Sequence, residues 1–217
     1  MSAIHSFAAR VHPLIKIIIF FFCAAVLIFF SADAALADDS VYSLLPPDIE
    51  VVQYRLGDID GDGLEEMGLL FRWHEKMNLT IFRAVNGRWA RWWDLGEPSS
   101  PGKGRSLHSF DMVDANGNGS INLSLYFLSP GGGSMVTRIL ELSHVAGTGP
   151  HFETLLEDKT VPAGYPIYGT EKGKPSVTFL NMGGESIDGT KRPGYRRVYC
   201  WNGARFEKCR EVKWGAE

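Results

Sequence analysis

Short apolar segments recur along the chain from residue 50 onwards, and clusters of glycine, asparagine, aspartate and proline separate them. The segments are rich in β-branched and aromatic residues and show no sustained helical period, which is the pattern of β-strands joined by turns. We therefore predict an all-β protein. The predicted strands span residues 50–55, 66–73, 78–85, 88–94, 109–113, 120–128, 135–143, 152–156, 176–180, 196–201 and 205–211.

The N-terminal segment has a different pattern. Arg10 and Lys16 precede an apolar run at residues 17–30, and a small-residue site of the A-x-A type ends at Ala37. This order of features is typical of a cleaved secretory signal peptide. The run is shorter than the roughly 20 residues that span a bilayer, which favours cleavage over an uncleaved membrane anchor. We predict a signal-peptide helix within residues 1–37, no stable membrane span after cleavage, and a periplasmic or extracellular protein.

The rest of the chain, residues 38–217, has the length of a single domain. The formal net charge of the full chain is −3, and no basic stretch offsets it. A mildly acidic surface does not attract a phosphate backbone, so we predict no nucleic-acid partner.

Two cysteines follow the predicted cleavage site, Cys200 and Cys209, and they flank the dipeptide Asn202-Gly203. Asn-Gly is a strong hairpin signal, and disulfides persist outside the cytoplasm. A two-residue turn would pair Cys200 with Arg205, so a bridge requires a longer loop or a bulge. We predict the disulfide, and two free thiols are the alternative.

An acidic loop occurs twice. The segment Leu56-Gly-Asp-Ile-Asp-Gly-Asp-Gly-Leu-Glu-Glu66 is echoed by Met112-Val-Asp-Ala-Asn-Gly-Asn-Gly-Ser-Ile-Asn122, and an apolar strand and a further strand pair follow each loop. A similar Asn-Gly hairpin occurs at residues 82–89 and 199–206. The chain thus divides into about three units. The third lacks an acidic loop, and we place residues 181–188 in the corresponding position. The predicted units are residues 48–98, 105–160 and 161–217.

The first loop, Asp58 to Glu66, has the composition of a calcium site. Calcium takes about six to eight oxygen ligands from a chain that can bend around it. Carboxylates crowded into such a short segment repel one another unless a cation lies between them. We predict a Ca²⁺ site here, with a solvated acidic turn as the alternative. Its predicted ligands are Asp58, Asp60, Asp62, the carbonyl of Leu64, and Glu66.

The candidate ligands of the second loop include one carboxylate, where those of the first include four. Amide oxygens can bind calcium, but a lower ligand charge weakens binding. We therefore predict at most a weak site, and the alternative is a pair of metal-free Asn-Gly turns. Its candidate ligands are Asp114, Asn116, Asn118, the carbonyl of Ser120, and Asn122.

At these loops the chain resembles the FG-GAP and VCBS repeat families. Their units consist of a strand, a loop of the form D-x-[DN]-G-D-G-x-x-[DE], an apolar strand and a hairpin. The resemblance implies blade-like, four-stranded antiparallel units that bind calcium. Three units are fewer than the roughly four blades of a closed propeller. We therefore expect a partial propeller, a sandwich-like packing of the sheets, or closure by oligomerisation.

No catalytic arrangement stands out; Ser134, for example, lacks the glycine that a nucleophile elbow needs. We predict an exported calcium-binding β-repeat module that acts in binding or structural support, with an unknown protein or carbohydrate partner. An exported enzyme or accessory domain with a site on strand-end loops such as residues 129–134 is a less favoured alternative. Another is an envelope interaction protein with metal-free turns, in which the tryptophan-rich hairpin (Trp89, Trp92 and Trp93) meets the partner. Alternation along the strand places Trp89 and Trp93 on one face and Trp92 on the other, which favours a packing role for these tryptophans.

Overall fold

The computed structural model describes residues 41–95, 104–129, 135–144, 150–158, 164–185 and 191–215. The predicted signal peptide and most of the strand-end loop at residues 129–134 lie outside these ranges. The described part is built from β-strands and turns, which confirms the predicted fold class. Among the described residues, no helix is long and apolar enough to cross a membrane.

The chain forms two compact units. Of the described residues, the larger contains those of 46–84 and 90–215, and the smaller contains residues 41–45 and 85–89. In the smaller unit, a turn is closed by a hydrogen bond from the N–H of Leu44 to the carbonyl of Val41. Both acidic loops belong to the larger unit.

The strands follow one another through short connections, and most of their bounds lie within a few residues of those predicted. They are β1 (Glu50–Gly57), β2 (Glu66–Trp73), β3 (Lys76–Val85), β4 (Arg88–Leu95), β5 (Ser106–Val113), β6 (Asn122–Leu128), β7 (Met135–His144), β8 (Pro150–Asp158), β9 (Ile167–Glu171), β10 (Lys174–Asn181), β11 (Gly184–Glu185), β12 (Lys191–Arg192), β13 (Gly194–Trp201) and β14 (Phe206–Trp214).

Three four-stranded antiparallel sheets contain most of these strands. Sheet A has the order β1-β2-β3-β4, sheet B has the order β5-β6-β7-β8, and sheet C has the order β9-β10-β13-β14. Strands β11 and β12 form a separate two-stranded ribbon. In each large sheet the strands pair in their order along the chain. The described residues form three sheets without closure, so they do not make a closed propeller.

The third sheet differs from the prediction at its first strand. Strand β9 was not predicted, and it joins β10 through the tight turn Lys172-Gly173, whose φ angles are 52° and 76°. The connection equivalent to the two acidic loops is therefore this turn. The prediction that residues 181–188 occupy the equivalent place is wrong, because Asn181 ends β10 and the segment after it leads towards β13.

The first two strands of sheets A and B pair in the same way. Each pair contains a β-bulge near its start and closes at the acidic loop. The bulges lie between Val51 and Gln53 and between Leu107 and Ser109, and the closing pairs are Gly57–Glu66 and Val113–Asn122. The two loops therefore leave their sheets from equivalent positions.

Sheets A and B pack on one another through a shared apolar core. Leu70 and Ile81 of sheet A and Phe110 of sheet B are fully buried in it. Gly68 permits the close approach, because a Cβ atom at this position would lie 2.6 Å from the Phe110 ring. This packing holds the strands on either side of the first loop against a rigid neighbour.

Sheet B packs against sheet C through a second core. Ile139 and Leu156 of sheet B cluster there with Val177, Phe179 and Phe206 of sheet C. Sheet B is thus covered on both faces, which explains why residues 122–127 of β6 are buried without alternation.

The predicted disulfide between Cys200 and Cys209 is confirmed. Trp201 pairs with Phe206, so the connecting loop is longer than two residues and closes with a hydrogen bond from the N–H of Asn202 to the carbonyl of Arg205. The pairing between β13 and β14 also shifts after Val198, and Cys209 is the extra residue. A longer loop and a bulge together bring the two cysteines to a Cα separation of 5.7 Å.

Replacement of both Cys200 and Cys209 by serine should lower the free energy of unfolding by roughly 2–3 kcal/mol, because the bridge no longer restricts the unfolded chain. Chemical denaturation with and without reductant measures the change. Reductant should destabilise the wild-type protein by a similar amount and leave the double variant unaffected. Equal stability of the oxidised wild type and the variant would contradict the prediction.

Candidate metal centre

Asp58 organises the backbone of the first loop, which we call loop 1 (residues 58–66). Its Oδ1 accepts hydrogen bonds from the N–H groups of Gly61 at 2.7 Å and Asp62 at 3.1 Å, and its Oδ2 accepts one from Gly63 at 2.9 Å. Gly61 and Gly63 have φ angles of 75° and 86°, in the left-handed region that glycine adopts without strain. The Asp-Gly pattern therefore curls the loop around the Asp58 carboxylate.

Glu66 closes loop 1 from its last position. It is the first residue of β2, and 0% of its surface is exposed. Its Oε2 accepts a hydrogen bond from the N–H of Ile59 at 2.8 Å, whereas its Oε1 is buried and has no hydrogen-bond partner. Burial raises the pKa of the Glu66 carboxyl, and the nearby charges of Asp60 and Asp62 raise it further.

Three of the predicted ligands come together. One carboxylate oxygen each from Asp58, Asp60 and Glu66 lies within 4.8 Å of the others. All three are hard oxygen donors, and Glu66 Oε1 has an acceptor site that no protein donor occupies. This arrangement fits a metal ion, because a cation would satisfy the buried oxygen and reduce the repulsion between the carboxylates.

The other two predicted ligands of loop 1 lie differently. Asp62 is outside that three-residue cluster; its Oδ1 accepts the N–H of Leu64 at 2.8 Å. This hydrogen bond and the guanidinium of Arg83 lower the pKa of the Asp62 carboxyl. Leu64 exposes about half of its surface and supplies its N–H group to the loop.

Sequence reasoning missed Arg83, which lies on β3 beside loop 1. Its Nη2 is 2.6 Å from Asp62 Oδ2 and 3.0 Å from Asp60 Oδ2, and its Nε is 4.0 Å from Glu66 Oε1. The pairing between β2 and β3 brings it there, because the residue before it, Phe82, pairs with Met67, which follows Glu66. A basic residue at this point of the third strand was the available signal, but its use required the register.

The second loop, loop 2 (residues 114–122), repeats the backbone arrangement of loop 1. Asp114 Oδ1 accepts the N–H groups of Gly117 at 2.7 Å and Asn118 at 3.1 Å, and its Oδ2 accepts that of Gly119 at 3.0 Å. Asn118 Oδ1 accepts the N–H of Ser120 at 2.8 Å, as Asp62 does for Leu64. The echo in the sequence therefore corresponds to the same turn geometry.

The interior of loop 2 has a different polarity. Asn122 Oδ1 accepts the N–H of Ala115 at 3.0 Å, which leaves Asn122 Nδ2 buried without a partner where loop 1 has Glu66 Oε1. This hydrogen bond assigns the orientation of the amide. An amide nitrogen carries hydrogens and cannot ligate a cation, so Asn122 fits a metal less well in this orientation than Glu66 does.

Glu141 holds the side chains of loop 2. Its Oε1 accepts hydrogen bonds from Asn116 Nδ2 and Asn118 Nδ2, each at 2.8 Å. Glu141 follows Leu140, which pairs with Leu123, so it occupies on β7 the place that Arg83 occupies on β3. The neighbouring strand thus presents a cation to the carboxylates of loop 1 and an anion to the amide donors of loop 2.

The tryptophans of β4 take part in packing. Trp92 and Trp93 are partly buried against the core between sheets A and B, and the Trp93 ring lies 4.6 Å from that of Phe152. Trp92 also faces the guanidinium of Arg83 at 5.5 Å. These contacts agree with the packing role that strand alternation favours.

Comparisons of the chain with protein-family models, with curated proteins and with solved structures gave no match. The FG-GAP and VCBS resemblance therefore stays a prediction that depends on the two loops.

Replacement of Glu141 by alanine should destabilise the protein by roughly 1–3 kcal/mol, because Asn116 and Asn118 lose a shared charged acceptor. Chemical denaturation in EDTA measures the loss. Glu153→Ala is the matched control, since Glu153 lies opposite Glu141 on β8 and is exposed. The prediction is contradicted if both variants lose the same stability.

Proposed function

We propose that this protein is an exported β-sheet module that binds one calcium ion in loop 1 and acts in binding or structural support. The observation that carries the proposal is the Glu66 carboxylate, which is fully buried, whose Oε1 accepts no hydrogen bond, and one of whose oxygens lies within 4.8 Å of carboxylate oxygens of Asp58 and Asp60. A buried charge of this kind costs several kcal/mol unless it is paired or binds a metal.

The ligand chemistry favours calcium over other metals. The cluster consists of carboxylates without histidine or cysteine, which disfavours zinc and copper. Magnesium requires a nearly ideal octahedron, whereas calcium accepts an irregular set of oxygens.

Calcium would act on the loop that joins β1 to β2. Asp58 and Asp60 come from the loop and Glu66 from the start of β2, so one ion would connect the turn to the strand. An ion that binds only the folded state stabilises it by about 2.7 kcal/mol at about a hundredfold excess over its Kd. The module would then be most stable where free calcium is abundant.

Export is the second part of the proposal. The order of charged, apolar and small residues before Ala37 supports it, and the disulfide between Cys200 and Cys209 is compatible with an oxidising compartment. The partner would be a protein or a carbohydrate.

Calcium should raise the melting temperature of the wild-type protein relative to EDTA and give a binding isotherm by calorimetry. Glu66→Gln should weaken calcium binding at least about tenfold, because it removes the charge and one ligand oxygen. Glu65→Gln, an equal change of net charge at the exposed neighbouring residue, should bind like the wild type. The metal site is disproved if the wild type shows neither heat nor a shift in melting.

Expression of the full chain in a bacterium with a periplasm should yield a processed form that begins at Asp38. Mass spectrometry of the periplasmic fraction measures the N-terminus. A variant with Leu27→Arg, which interrupts the apolar run, should remain unprocessed in the cytoplasm. Recovery of the unprocessed wild-type chain from the cytoplasm alone would refute export.

A further inference from the structure

We propose that Arg83 is an internal counter-ion that competes with the metal ion for loop 1 and thereby sets the affinity of the site. The inference rests on the proposed function, since it concerns the regulation of the same site. The role of Arg83 is a separate claim from calcium binding, because loop 1 can bind calcium whether or not a neighbouring arginine opposes the ion.

The competition follows from shared carboxylate groups. Asp60 and Glu66 belong to the metal cluster, and the same two residues lie beside the Arg83 guanidinium, with Asp60 Oδ2 3.0 Å and Glu66 Oε1 4.0 Å from its nitrogens. A divalent cation between these carboxylates would lie close to the guanidinium, and two like charges at such a separation repel. The metal and the present position of Arg83 therefore disfavour one another.

Sheet B provides an internal comparison for this role. At the equivalent position on β7 stands Glu141, and there the loop carries Asn116 and Asn118 in place of Asp60 and Asp62. Glu141 is an acceptor beside a loop that offers amide donors, and Arg83 is a cation beside a loop that offers carboxylates. Arg83 is matched to the carboxylates of loop 1, which is the role of a counter-ion.

When an ion binds, the Arg83 side chain can move away from Asp60 and Glu66. About a third of its side chain is exposed, and movement towards solvent would increase the hydration of its charge. Its guanidinium carbon already lies 5.5 Å from the centre of the Trp92 ring, which can hold a cation on its face. The contact with Asp62, outside the metal cluster, can also persist while those with Asp60 and Glu66 are lost.

Two opposite effects distinguish a competitor from a supporting residue. Without Arg83, the carboxylates of the metal-free loop lose the positive charge that balances them, so the protein in EDTA becomes less stable. The same change removes the repulsion that the incoming ion meets, so calcium binds more tightly. A residue that only supports the shape of the loop would lower both the stability and the affinity.

The test is a calcium titration by calorimetry, with thermal melts in EDTA and in calcium, on the mature wild type and on Arg83→Gln. We expect the variant to bind calcium roughly three- to tenfold more tightly, since each partly exposed ion pair contributes a modest energy. We also expect it to melt at a lower temperature in EDTA, and calcium to recover most of that loss.

Arg138→Gln is the matched control. Arg138 pairs with Glu157 at 2.7 Å and lies 5.9 Å from the centre of the Phe127 ring, so it makes the same kinds of contact away from loop 1. This control should lose stability equally in EDTA and in calcium and keep the wild-type affinity. Arg83→Lys keeps the charge on a more flexible side chain and serves if Arg83→Gln does not fold. Its calcium affinity should fall between that of the wild type and that of Arg83→Gln.

The outcomes separate the two proposals. Unchanged or weaker calcium binding by a folded Arg83 variant, beside normal binding by the wild type, overturns the competition and leaves the proposed function intact. Binding by the Arg83 variants with none by the wild type supports the competition and overturns the proposed function, because Arg83 then holds the loop 1 carboxylates in place of an ion. Absence of binding in every protein overturns the metal site and the competition together.

Discussion

A buried carboxylate governs the architecture around loop 1. Glu66 enters sheet A with none of its surface exposed, and its negative charge must be balanced by donors or cations within reach. The N–H of Ile59 donates to its Oε2, its Oε1 accepts no hydrogen bond, and one of its oxygens lies within 4.8 Å of carboxylate oxygens of Asp58 and Asp60. Because neither neighbour can balance the charge, the balance falls to Arg83 or to an ion. The contact of Arg83 with loop 1 and the proposed affinity for calcium both depend on this one constraint.

The two loops have the same backbone shape but different side-chain chemistry in their interiors. In each, an aspartate at the first position accepts three backbone N–H groups and two glycines adopt positive φ angles, so Asp58 and Asp114 build the same turn. What differs is the last residue, a glutamate in loop 1 and Asn122 in loop 2. One carries an unpaired acceptor into the interior and the other an unpaired donor. A short acidic motif therefore specifies a turn more securely than it specifies a metal.

Much of the fold was predictable because most strands have a local pattern of apolar residues bounded by turn residues. Strands β2 and β6 combine apolar character with clear turn signals on both sides, and prediction and structure agree there to within two residues. Strand β9 was missed for physical reasons: it is short, mostly exposed and contains Gly169, and its turn places a lysine rather than asparagine before the glycine. Because the predicted strands did not include β9, the position equivalent to the acidic loops was wrongly assigned to residues 181–188. The disulfide was predictable because its two requirements, a longer loop and a bulge, do not depend on distant parts of the chain.

The sequence by itself determined the β-class, the two turns around Asp58 and Asp114, and the pairing of Cys200 with Cys209, since all of these follow from local pattern and spacing. Only the tertiary structure decided which charges meet. Arg83 and Glu141 reach their loops through the register of β3 against β2 and of β7 against β6, and a shift of one residue would turn each to the opposite face of its sheet. Local preferences form a turn, but the electrostatic content of a site depends on side chains that neighbouring strands bring to it.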